Sequence, residues 1–212
     1  MYLFGRRARL AGGKMREAMA WATGTAEKVT QITGTPLGVW SQVYSPEVGE
    51  IVWATFLPDL VALEAFTDKC LVDDGYIAQV EQGAAFILPG SVGDVLQVVL
   101  HGEPDPNREV NYTTVVRTTM TGGIASATAL GIEIAQRAES LTGAPTMFLA
   151  DATGNFGGVS WLTGYASIEE VERTQMTINT DPGFVELLDS RAATAYADVP
   201  GASTQTIYRR IA

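Results

Sequence analysis

The chain states one pattern twice. The segment ITGTPLGVW, Ile32 to Trp40, returns as LTGAPTMFL, Leu141 to Leu149. Trp53 returns as Trp161, the helix-opening pair Asp59-Leu60 as Ser167-Ile168, and DDGYIAQV from Asp73 as DPGFVELL from Asp181. Pro89-Gly90 before DVLQVVL matches Pro200-Gly201 before STQTIYR. A period of about 108 residues is too long for a solenoid repeat and suits a small domain. The expected organisation is a first unit over residues 1–101, a linker over 102–109 and a second unit over 110–212. The linker, GEPDPNRE, is marked by its prolines and charges.

Each half carries the same element signals. Tyr2 to Leu10 reads as a strand that ends at Gly12-Gly13. Met15, Ala18, Met19, Ala22, Ala26 and Val29 then recur at helical spacing, which predicts a helix from about Lys14 to Thr30, ended by Gly34 and Pro36. Trp21 falls off that stripe and reads as an interface residue. GVWSQVY and EIVWATF are rich in β-branched and aromatic residues, and SPEVG between them reads as a hairpin loop. Asp59 is suited to cap a second helix that turns Leu60, Leu63 and Phe66 inward. A helical piece from Tyr76 to Ala85 and the strand DVLQVVLH complete a βαββαβ order. The second half repeats it, and Ser167 with Glu170 three residues on forms a capping-box signature.

This order, with the DPGF string at Asp181 to Phe184, resembles the ferredoxin-like dimeric α/β-barrel superfamily over nearly the whole chain. The resemblance implies an α+β fold: two tandem ferredoxin-like βαββαβ units packed as an intramolecular dimeric α/β barrel. It does not imply one chemistry, since this fold hosts oxygenases, isomerases, dehalogenases, haem enzymes and plain binding proteins. Fused units of the chlorite dismutase and dye-decolorising peroxidase families bind haem through a histidine. His101 is the one candidate here, and DDG at Asp73 to Gly75 lacks the first glycine of the peroxidase GxxDG string. No cofactor is expected.

Composition narrows the function classes further. With 46% hydrophobic residues in 212, the chain can bury a sizeable core. No apolar run reaches the roughly 18 residues of a membrane span. Arg6, Arg7 and Arg9 followed by AGGKMREAMAWA do not form a secretory signal. A single cysteine, Cys70, favours a reducing, cytoplasmic setting. A net charge of −10 argues against nucleic acid and anionic lipid as partners. One histidine and one cysteine rule out a three-histidine zinc site and CxxC spacing, so no metal is expected.

The arginines of the first strand are the sharpest residue-level clue. Alternation puts Arg7 and Arg9 on one face and Arg6 on the other, and Arg117 lies on the matching strand of the second half. A guanidinium under a covered sheet needs a carboxylate partner or a wet cavity. Two readings stand: structural ion pairs with Glu50, Asp151 or Glu47, or an anion-accepting pocket. Trp40, Trp53 and Trp161 read either as shared packing or as walls for a planar ligand. Gly12-Gly13 and Gly122-Gly123 read as tight turns needing positive φ. The candidate ligand-binding residues are therefore Arg7, Arg9, Trp40, Trp53 and Trp161, with no general base in view. Two functions fit. One is a small-molecule-binding protein, extending to a cofactor-free oxygenase or isomerase acting on a hydrophobic anionic or phenolic compound. The alternative is a non-catalytic assembly protein that forms homo-oligomers or docks on a protein partner.

Overall fold

The computed structural model describes residues 1–45 and 49–212, so most of the expected SPEVG loop, and Glu47 with it, lies outside the described residues. The contacts divide the chain into two compact units. Unit 1 is Met1–Leu96 with Arg209–Ala212, and unit 2 is Gln97–Tyr208.

Unit 1 runs β1 (Tyr2–Arg9), α1 (Met15–Thr33), β2 (Gly38–Val43), β3 (Glu50–Leu57), α2 (Leu60–Leu71), α3 (Asp74–Gln82) and the start of β4 (Gly93–His101). β3 is central: it pairs antiparallel with β1, Arg6 opposite Trp53, and with β2, Val39 opposite Trp53. The last residues of the chain return to this unit, where the Ile211 amide donates to the Val39 carbonyl at 2.8 Å.

Alternation along these strands decides what the helices cover. Ala8, Val39, Ile51 and Trp53 turn toward Ala18, Trp21, Ala22 and Ala26 of α1, forming one buried cluster. The α1 stripe is therefore rotated from its expected setting. Trp21 is buried rather than an interface residue, and Met15 is exposed. Trp21 is held because its indole N–H donates to the Gln79 carbonyl at 2.7 Å. Gly83 makes room for it, since a Cβ there would overlap the Trp21 ring.

Unit 2 repeats the order with β5 (Tyr112–Thr119), α4 (Ile124–Thr142), β6 (Thr146–Asp151), β7 (Gly158–Tyr165), α5 (Ile168–Thr180), α6 (Pro182–Leu187) and β8 (Thr204–Arg210). β7 is central between β5 and β6, and Gln97–His101 of β4 runs along the other edge of β6. Arg108 ties the connecting segment to this unit through Glu170 at 2.9 Å.

Helix ends follow the sequence. Asp59, Asp73, Ser167 and Asp181 each accept a backbone N–H at a helix start. Gly34 and Gly143 close α1 and α4 in the left-handed conformation. The strand-to-helix glycines depart from expectation: Gly13 has φ +90°, whereas Gly123 has φ −63° and serves as an ordinary N-cap. Among the described residues no helix is long and apolar enough to cross a membrane.

Candidate functional site

Unit 1 encloses a half-open cavity of about 640 Å³ between its sheet and its three helices. β1 contributes Phe4, Arg6 and Ala8, the face opposite Arg7 and Arg9. Trp53 comes from β3, Trp21, Thr25 and Val29 from α1, Phe66 and Cys70 from α2, and Tyr76 from α3. Cavities of this size and mainly apolar character hold small organic ligands.

The walls are fixed by packing and by hydrogen bonds that use up their polar atoms. Trp53 donates its indole N–H to the Ala22 carbonyl at 2.9 Å and meets Trp21 edge to face at 5.4 Å. Phe4 and Phe66 meet at 6.3 Å, also edge to face. Thr25 donates to the Trp21 carbonyl at 2.8 Å. The floor is thus apolar in effect even where tryptophan and threonine line it.

Polar chemistry gathers at Arg6, the one charged side chain in the lining among the described residues. Its Nε donates to Asp94 Oδ1 at 2.7 Å and its Nη2 to Asp94 Oδ2 at 2.9 Å, a side-on bidentate pair. That pairing, beside Asp94, raises the Arg6 pKa further above its ordinary value. Tyr76 and Cys70 sit within reach of the Arg6 charge. Burial pushes both the phenol and the thiol up, and Arg6 offsets this only in part. Both therefore stay protonated at neutral pH, and neither is a base there.

The five residues expected to bind ligand separate in the structure. Trp53 lines the cavity. Arg7 lies outside the lining, 4.0 Å from Glu50 and half exposed, close to the ion-pair reading. Arg9 is also outside the lining, where its backbone brackets the Ser91 hydroxyl. Trp40 carries the Arg210 guanidinium over its ring at 5.9 Å. Trp161 belongs to unit 2, donates to the Gly131 carbonyl at 2.8 Å and packs on Phe148 and Tyr196.

Sequence reasoning passed over Arg6, Tyr76 and Cys70. Arg6 had a usable signal, since alternation places it with Phe4 and Ala8 toward the helices. The lining contains no histidine, and His101 is the last residue of β4, in unit 2. Among the described residues no three His, Cys, Asp or Glu side chains converge as a metal site would require.

Comparison with solved structures shows the fold. A protein of Fusobacterium nucleatum named provisionally as a monooxygenase superposes with a TM-score of 0.73 at 10% identity, over 100% of this chain and 92% of its own. An anthrone oxidase-like protein gives 0.65 at 12% identity, over 100% and 92%. A major regulator of staphylococcal pathogenesis gives 0.58 at 9% identity, over the full length of both. The chain has the ferredoxin-like dimeric α/β-barrel fold, of α+β class, with two units in one polypeptide. No protein-family model matches the chain, and no curated protein matches it.

Proposed function

We propose that unit 1 binds a small, ring-bearing, largely apolar compound that carries one anionic or phenolic oxygen, and that the chain oxygenates it without a cofactor. The observation that carries this reading is the cavity itself: aromatic walls from Phe4, Trp21, Trp53 and Phe66, with Arg6 as the one charged group among the described residues. Three of the five guanidinium N–H donors are not used by Asp94; Tyr76 is a further hydrogen-bond partner of the guanidinium, and the donors left over suit a ligand oxygen.

The reaction class comes from the oxygenase names among similar folds and needs only chemistry that the substrate can supply. A phenol ionises, its proton leaving to water because Tyr76 and Cys70 keep theirs. The phenolate gives an electron to dioxygen, superoxide recombines at a ring carbon that bears hydrogen, the resulting peroxide takes a proton back from water, and the hydroperoxide loses water to leave a carbonyl. One oxygen atom enters the quinone product and the other leaves in water. The Arg6 N–H groups that Asp94 leaves unused would donate to the phenolate oxygen as it forms.

The test is native mass spectrometry of the protein with polycyclic phenols, alongside an oxygen electrode. One phenol per chain and oxygen uptake that needs the protein are expected; no adduct with any phenol would overturn the reading.

The repeats support a companion proposal, that residues 1–101 and 110–212 are copies of one ancestral unit joined by 102–109. A second function stands on a separate observation. Val61 and Val72, at the two ends of α2, are 73% and 84% exposed, which favours a homo-oligomer or a docking partner over an isolated chain. Light scattering after size exclusion tests it, and a monomer across micromolar concentrations would leave the cavity reading alone.

A further inference from the structure

Asp94 gives the cavity a bias that its arginine alone would not. A lone guanidinium under apolar walls is a carboxylate receptor, because its fork matches two oxygens at once. Here that role is already taken from within the chain. Asp94 holds Arg6 at 2.7 and 2.9 Å through Nε and Nη2, so the pair is neutral and its side-on edge is closed to a ligand. No other side chain in the lining brings a positive charge, and the chain as a whole carries −10. Lys28, whose ammonium lies beside Gly75 next to Tyr76, is itself paired with Asp73 at 3.1 Å. An incoming carboxylate would therefore share one guanidinium with Asp94 and meet its repulsion. A hydroxyl or carbonyl oxygen would not. It needs one remaining Arg6 N–H, and the neighbouring Tyr76 phenol can donate to it or accept from it.

We propose that Asp94 is a specificity-determining residue, which makes the unit 1 cavity select aromatic compounds with an uncharged hydroxyl or carbonyl head and reject the matching carboxylates. This rests on the cavity being the ligand site, and it narrows the compounds proposed above to those that arrive neutral. Asp94 acts through Arg6: it is absent from the lining and is 47% exposed on β4, so its substitution spares the packed walls.

The experiment uses 2-naphthol and 2-naphthoate, which share a ring and differ in the head group, titrated at pH 7 against the wild-type chain, Asp94→Asn and Asp94→Glu by tryptophan fluorescence. The wild-type chain is expected to bind naphthol at least tenfold more tightly than naphthoate, and Asp94→Glu to keep that order. Asp94→Asn frees the Arg6 charge and should invert the preference. A wild-type preference for naphthoate, or an unchanged ratio in a folded Asp94→Asn, overturns the proposal. Failure of the underlying reading looks different: neither probe binds the wild-type chain, or a cavity-blocking Thr25→Phe leaves naphthol binding intact. If Asp94→Asn does not fold, the wild-type ratio with that of Asp94→Glu still decides.

Discussion

At the strand tryptophan the two units are built alike. Trp53 donates to Ala22 and Trp161 to Gly131, and these acceptors occupy equivalent places on α1 and α4. Asp73 caps α3 and pairs with Lys28; Asp181 caps α6 and pairs with Arg137. What differs is the volume around those shared bonds. Where unit 1 has Val39, unit 2 has Phe148, fully buried and pressed against Gly131 so closely that a Cβ there would overlap its ring. Where unit 1 has Thr25 and Tyr76, unit 2 has Ile134 and Phe184, both in its core. Tyr196, at the position of Ile87, crosses that core to donate its hydroxyl to the Ala127 carbonyl at 2.6 Å, and burial raises its pKa. At the position of Arg6, unit 2 has Val116. One unit has thus spent this space on packing while the other lines a cavity with it.

The largest test of that contrast is in unit 2. Phe148→Ala is expected to lose about 3–5 kcal/mol, the range for truncating a well-packed aromatic side chain. Urea denaturation reads this, and a loss under about 1 kcal/mol would mean that unit 2 is as open as unit 1.

Additions should divide the units in the same way, with smaller effects. Gly131→Ala adds one methyl against the Phe148 ring and should cost about 1–3 kcal/mol as overpacking. Thr25→Phe adds far more bulk, yet it projects into the unit 1 cavity and should cost less than Gly131→Ala while blocking naphthol. If Thr25→Phe is the costlier of the two in thermal melts, the space in unit 1 is not available to a ligand.

Much of this architecture was legible in the sequence, because hydrophobic periodicity and turn chemistry are local and were written twice. Asp59 and Ser167 announced their helices by side-chain type, whereas the caps at Asp73 and Asp181 emerged only in the structure. The site was less legible for a reason visible at Arg6 and Arg7. Strand alternation separates their faces, but whether a face meets side chains or space depends on Val39, Thr25 and Tyr76, which are far apart in the chain. The pocket role was accordingly expected of Arg7 and Arg9, whereas the cavity opens beside Arg6. One available signal was the comparison of the repeats themselves: DDGY against DPGF differs by a hydroxyl, and Tyr76 carries it into the lining.

Arg6→Met separates site from scaffold. Arg6 and Asp94 are 43% and 47% exposed, so water screens their attraction and the pair should contribute only about 0–1 kcal/mol. Methionine keeps much of the stem packing. The expected outcome is a nearly unchanged melting temperature with loss of phenol binding. Val116→Met in unit 2 is the matched control and should leave phenol binding alone. Equal binding losses from both would erase the functional difference between the units.

The smallest effect concerns the cap that the units share. The backbone N–H of Tyr76, then the Lys28 side chain, hold the Asp73 carboxyl below its ordinary value of 3.8. A carboxyl with a depressed folded-state pKa binds protons more readily when unfolded, so its contribution is fully present above the ordinary value. It is lost as pH falls through the lower, folded one. Stability should thus be indifferent to Asp73 between pH 7 and 5 and should decline below about pH 4. Asp73→Asn keeps a capable N-cap oxygen but gives up the charge. It should lower the melting temperature slightly at pH 7 and flatten the acid limb. Asp181→Asn, measured in parallel at neutral pH, reports whether the equivalent cap over Arg137 stabilises unit 2 to the same degree. A larger drop at Asp181 would fit a cap that holds Phe184 in a packed core, whereas Asp73 holds Tyr76 at the edge of a cavity. Equal drops would show that cap strength is independent of what lies beneath it.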